Sequence, residues 1–81
     1  MKKEEFIPKV NDALAQEFEV EIEEITPDAD IKETLDLDSL SLVDMVAIIE
    51  DMFEVSIKNQ EIAQVKTFND LYDFIEGKIN E

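Results

Sequence analysis

Cysteine, histidine, arginine and tryptophan are absent from this chain, and glycine occurs once, at Gly77. Without cysteine there is no disulfide framework, no thiolate metal site and no thiol of the chain's own. Without histidine the commonest general base and metal ligand is missing too. The side chains are therefore poorly equipped to catalyse a reaction themselves. Long apolar runs are also lacking: none approaches the roughly 20 residues needed to cross a bilayer. Met1-Lys2-Lys3-Glu4-Glu5 is followed by no stretch resembling a signal sequence. The expected compartment is the cytoplasm, with no membrane insertion.

Positive charge is scarce. Seven lysines stand against 22 Asp and Glu, for a formal net charge of −15. Phosphate backbones are neutralised by basic surfaces, so nucleic acid is not an expected partner. Partners should instead carry basic patches, because a strong single-sign field speeds encounter with complementary surfaces. Plain solubility is the competing reading of the same charge. What is present in quantity is apolar: 44% of the residues, recurring with a period, unlike a disordered acidic tail. At 81 residues there is room for one modest core, so residues 1–81 are read as a single domain and an expected monomer.

Phe6, Val10, Ala13, Leu14 and Phe18 fall at spacings of three and four, one stripe of an amphipathic helix within Lys3–Phe18. Pro8 fits a first turn better than an interior, which places the helix start near Ile7. Residues 19–37 mix the alternation of Glu19-Val20-Glu21-Ile22-Glu23 with turn chemistry around Pro27, and read as a long loop. Such a loop needs anchors, for which Val20, Ile22, Ile25, Ile31 and Leu35 are the candidates. Asp38 is placed to cap a second helix, along which Leu42, Val46, Ile49 and Phe53 repeat at four, three and four. Another face of that helix, Leu40, Asp44, Ala47 and Asp51, mixes apolar with acidic residues and is not ordinary core. Asn59 is expected to cap a short third helix reaching Gln64. Thr67 starts a fourth, with Asp70 in a variant capping box and Phe68, Leu71, Tyr72, Ile75 and Ile79 facing inward; Gly77 suits its C-terminal end. The fold class is all-α: a four-helix bundle with three longer helices, one short third helix and a long first loop.

The stretch Leu35-Asp36-Leu37-Asp38-Ser39-Leu40 lies where the long loop meets the second helix. A helix N-terminus presents unpaired N–H groups and a partial positive charge, so an anionic group on Ser39 would sit in a favourable field. With no histidine to activate it and no Gly-x-Ser-x-Gly elbow around it, Ser39 is a substrate rather than a nucleophilic catalyst. In isolation, an Asp-Ser pair before an apolar helix is more often an ordinary cap.

The whole-chain pattern tips that balance. The Asp38-Ser39-Leu40 triplet opens the second helix, and first helix, long acidic loop, apolar-acidic second helix, short third helix and fourth helix follow in order. This pattern resembles the acyl carrier protein family over nearly the whole chain. The resemblance implies a carrier, not an enzyme: a phosphopantetheinyl transferase, using coenzyme A and a divalent cation, esterifies Ser39 with 4′-phosphopantetheine, and Asp38 and Leu40 complete the motif. The arm ends in the thiol that the chain lacks, and acyl groups ride on it as thioesters to partner active sites in fatty-acid, polyketide or related biosynthesis. The implied partners are that transferase and acyl-loading, condensing and acyl-transfer enzymes with basic docking patches. Leu40, Asp44, Ala47, Glu50 and Asp51 are the residues that would meet them. No catalytic residue and no metal ligand is implied.

Two positions depart from the family's habit. Asp36 stands where members with fatty-acid roles commonly have Gly, which points to a different turn into the second helix, and Met52 stands where an acid is frequent. Both weaken an assignment to housekeeping fatty-acid synthesis and leave room for an accessory pathway. The positions bordering the family's acyl pocket, Ile62 and Leu71, are bulky where small residues are common, which implies short or aryl cargo, or cargo left outside the bundle; the competing reading is that both are ordinary core residues whose rotamers yield when an acyl group enters.

Two rival readings come from other classes. An EF-hand loop from Asp28 meets Glu33 where Gly is needed and Ser39 where Glu is needed, and one from Asp36 ends on Ala47, so both registers fail. An acidic interaction module or inhibitor without a covalent cofactor is the alternative function.

Overall fold

Five helices and one 3₁₀ turn make up the regular structure of the computed structural model, which describes residues 2–80. They are α1 (Lys3–Phe18), the turn Ile22–Glu24, α2 (Ile31–Leu35), α3 (Ser39–Phe53), α4 (Asn59–Ile62) and α5 (Phe68–Ile79). No strand occurs among the described residues, only an isolated antiparallel bridge between Asp30 and Thr67. The architecture is all-α, with three longer helices and a short helix before the last. The difference from expectation lies in the long first loop, which holds α2 and the 3₁₀ turn.

α1 begins at Lys3, not near Ile7, and contains Pro8. The Lys2 carbonyl accepts from the N–H groups of Glu5 and Phe6 at 2.9 and 3.3 Å, so the first turn closes ahead of the proline. Phe6 is fully buried and meets Phe53 of α3 edge-on, with ring centroids 5.5 Å apart. Burying that ring contributes about 1.5–3 kcal/mol, enough to offset most of what an early proline costs. Lys3 also pairs with Asp73 of α5.

The core draws on every helix. Phe6, Val10 and Leu14 come from α1, Met45, Val46 and Ile49 from α3, and Phe68, Leu71, Tyr72 and Ile75 from α5; Ile62 adds α4. The Tyr72 hydroxyl donates to Asn11, tying α5 to α1. Burial raises the Tyr72 phenol above its ordinary range, and the Asn11 bond opposes that shift.

Between α1 and α3 the chain is pinned. Ile25, Ile31 and Leu35 are buried and Val20 packs against the core, but Ile22 is 44% exposed on the 3₁₀ turn and anchors nothing. Backbone bonds from Ile31 N–H to the Lys66 carbonyl (2.9 Å), Phe68 N–H to Ala29 (3.2 Å) and Asn69 N–H to Pro27 (3.0 Å) stitch the loop to the start of α5. Part of the turn chemistry is a helix cap: Asp30 Oδ1 accepts from Glu33 N–H at 3.0 Å and starts α2.

Further along, two boundaries shift. Lys58 is the N-cap of α4, without a side-chain bond, so Asn59 is its first helical residue, and the helix ends at Ile62 rather than Gln64. α5 starts as the sequence implies: Thr67 Oγ1 accepts from Asp70 N–H at 3.2 Å and Asp70 Oδ2 from Thr67 N–H at 3.3 Å. Gly77, however, lies inside α5, and Asn80 is the C-cap.

Glycine is thus absent where helices end and present where one continues. Glu19, Asp36 and Glu54 follow α1, α2 and α3 in the left-handed conformation, at φ of 55°, 53° and 53°. A side chain there costs about 1 kcal/mol, and a carboxylate at a helix C-terminus opposes the dipole. At Gly77 an added Cβ meets nothing within 4 Å, and Ala gains about 1 kcal/mol over Gly in a helix interior. Glu19→Gly and Gly77→Ala are each expected to raise the melting temperature by about 4–8 °C, measured by circular dichroism. A fall in either would contradict the left-handed turn or the helical end described here.

Candidate functional site

The site is assembled at the exit of the loop. α2 ends on Asp36, whose N–H donates back to the Lys32 carbonyl, and Leu37 N–H donates to the same oxygen at 3.0 Å. The turn out of α2 is centred on Asp36. Its backbone takes the left-handed conformation that glycine would take, which aspartate tolerates better than most residues. Leu37 then packs against the core and delivers the chain to Asp38.

Asp38 is the N-cap of α3: Oδ1 accepts from Ser41 N–H at 2.8 Å, and its carbonyl accepts from Leu42 N–H at 2.9 Å. The Ser41 N–H foremost, then the Ser41 hydroxyl, holds the Asp38 carboxyl below the usual carboxylate range. An acid held ionised in this way is a poor proton acceptor for a neighbouring hydroxyl. Its cap stabilises α3 fully above the ordinary Asp value of about 3.9, and that stabilisation is lost as pH falls through the lower folded value. Asp38→Ala is therefore expected to melt several degrees below the unsubstituted protein at neutral pH. The gap should narrow below about pH 4; melts of both proteins across this range would show otherwise if the gap stayed constant.

Ser39 is the first residue of α3 and is exposed. With no histidine in the chain to act as its base, it stands as a plain alcohol at the helix N-terminus. Leu40 beside it is 78% exposed, and Asp44, Ala47 and Asp51 are exposed along the same side of α3. Helix geometry spreads these four over about 17 Å of one face. Glu50 differs: it is half-buried, and its Oε2 accepts from Ile57 N–H at 2.8 Å. Val43, 54% exposed, extends the apolar part of the face and was missed in the sequence. Its spacing from Leu40 and Ala47, three and four residues, was the available signal. Met52, the second departure, packs against the core. Among the described residues no three acids converge in a way that could hold a metal ion, and no helix is long and apolar enough to cross a membrane.

α3 thus opens on an exposed serine, flanked by an acidic and apolar face. Residues 8–75 match the family described as "Phosphopantetheine attachment site". The chain is 34% identical over 79 residues to the acyl carrier protein of Thermosynechococcus vestitus, covering 98% of each. To the acyl carrier protein of Coprothermobacter proteolyticus it is 34% identical over 79 residues, 98% of this chain and 96% of that one. To that of Petrotoga mobilis it is 34% identical over 80 residues, 99% and 94%. The chain belongs to the acyl carrier protein family: it carries 4′-phosphopantetheine and is not an enzyme. The cofactor-free interaction module is thereby set aside.

Proposed function

We propose that Ser39 is the attachment point of the phosphopantetheine. The arm then presents acyl groups as thioesters to acyl-loading, condensing and acyl-transfer enzymes of fatty-acid, polyketide or related biosynthesis. The observation that carries this reading is the placement of Ser39 alone, among the three serines, as the exposed first residue of a helix. Ser41 is half-buried with its N–H engaged by Asp38, and Ser56 lies in the loop after α3. The residues fit the group. A phosphodiester on Ser39 meets the positive end of α3, while the side chain of Asp38 is turned back into the helix, so only the ester bond fastens the arm and its far end is free to travel. Incubation with coenzyme A and a phosphopantetheinyl transferase should add one phosphopantetheine per chain, located by mass on the fragment holding Ser39. Addition elsewhere, or none, would overturn the assignment.

Partners, the transferase first among them, dock on the exposed side of α3. Leu40, with Val43 beside it, supplies apolar contact; Asp44, Ala47 and Asp51 the acidic, close-packing remainder; Glu50 stands at its edge. Acidic groups set in this way steer a basic partner quickly and release it readily. Asp44→Lys combined with Asp51→Lys is expected to slow the transferase on the order of tenfold at low ionic strength, with the difference shrinking as salt screens the field. Stability should barely move, since exposed ion-pairing groups contribute about 0–1 kcal/mol. Equal rates at low salt would place docking on another face.

A further inference from the structure

α4 is weakly anchored by itself: four residues long, with no side-chain cap at Lys58. A helix that short depends on what its neighbours hold in place. The chain leading into it hangs on Glu50. The Glu50 carbonyl accepts from Glu54 N–H and, at 3.3 Å, from Val55 N–H; its side chain reaches beyond the end of α3 to take Ile57 N–H at 2.8 Å. Ile57 is 8% exposed and Ile62, on α4, 3%. One carboxylate therefore sets Ile57 into the core and directs the chain into α4. On the other side Lys78 of α5 pairs with Glu61 of α4 at 2.6 Å. Among the acids assigned to the docking face, Glu50 is the one already engaged within the fold, whereas Asp44 and Asp51 stand exposed.

We propose that Glu50 is a latch shared by the α3–α4 loop and the docking face: its carboxylate fastens Ile57 in the free protein and passes to a basic side chain when a partner docks, loosening the loop and α4. The proposal rests on the docking face described above. A charged guanidinium that takes both carboxylate oxygens outcompetes a single neutral amide donor. The Ile57 N–H, once released, is left to water, and the loosened state gains population in proportion to the partner's preference for it. A docking signal then travels from α3 to α4 through one side chain, with no rearrangement of the three longer helices.

Amide hydrogen exchange at Ile57 tests this, with exchange at Ile49 as an internal reference. In the free protein Glu50→Ala should speed exchange at Ile57 on the order of tenfold, as expected for losing a hydrogen bond to a charged acceptor. Asp51→Asn should leave it unchanged. Glu50→Gln, which keeps an acceptor oxygen and loses the charge, should retain most of the protection. Saturating the unsubstituted protein with a phosphopantetheinyl transferase, coenzyme A omitted, should speed Ile57 exchange relative to Ile49, and Glu50→Gln should abolish that response. Protection at Ile57 unchanged in Glu50→Ala, or undiminished in the transferase complex, would overturn the latch. If the transferase neither binds nor modifies the unsubstituted protein, the docking reading fails and the latch with it; the Glu50→Ala result would then describe only a structural bond.

Discussion

Ser39→Ala is expected to abolish phosphopantetheinylation outright while leaving the helical spectrum and melting temperature nearly unchanged. The two halves of that outcome have separate physical causes. On the proposed assignment attachment uses the hydroxyl at the head of α3, and the next serine, Ser41, is two residues inside the helix and half-buried, so it should not stand in. Stability does not need that hydroxyl, because the cap of α3 is Asp38, whose Oδ1 takes the Ser41 N–H at 2.8 Å. Exposed substitutions away from such features shift stability by about 0.5 kcal/mol or less. Ser41→Ala and Ser56→Ala should both remain fully modifiable. Intact mass after exposure to coenzyme A and transferase, beside a thermal melt of each variant, reads both halves. A modified Ser39→Ala protein would end the assignment of Ser39, and an unfolded one would show that its hydroxyl caps the helix after all.

The contrast between Asp38 and Glu50 shows what a sequence of this kind discloses. Asp38 acts within three residues of itself, on the helix it starts, and local caps leave a local trace; the same holds for Thr67 and Asp70 at the head of α5. α1, α3 and α5 were legible because burying one face imposes a period on the chain. Even Met45, fully buried beside the expected stripe of Leu42, Val46, Ile49 and Phe53, stands three residues after Leu42 and four before Ile49. What escaped lacks periodicity. α2 spans five residues, too few to repeat. Pro8 and Gly77 were read by intrinsic preference, which tertiary packing overrode: the buried Phe6 outweighed the proline, and α5 runs past its glycine to Ile79. The Glu50 side chain reaches a backbone N–H seven residues on and outside its own helix, a contact no pattern along the chain announces.

Loading the arm with acyl chains of increasing length is expected to leave the core signals of Ile57, Ile62 and Leu71 unmoved, even for the longest. Leu71 is fully buried and Ile62 and Ile57 are 3% and 8% exposed, among Met45, Ile49 and Phe68 at 0%. Of the clefts on the surface, one of about 550 Å³ lies beside Glu61, Phe74 and Lys78 and another of about 320 Å³ beside Asp30, Lys32 and Ala63. Neither is lined by Ser39, Ile62 or Leu71. An acyl chain gains about 0.8 kcal/mol per methylene buried, but forcing methylenes into a filled interior costs about 1–3 kcal/mol, so the first carbons to enter return nothing. On that expectation the cargo is short or aryl, or stays outside the bundle. Leu71→Ala supplies the converse: at about 2–5 kcal/mol it leaves an apolar cavity, and a chain that reaches the cavity refills it. The melting temperature of the loaded Leu71→Ala protein should therefore climb with acyl length while that of the unsubstituted protein stays flat. Should the unsubstituted protein climb as well, with shifts at Ile62 and Leu71 growing carbon by carbon, the core yields to cargo and bulk at these two positions does not limit what the carrier can hold.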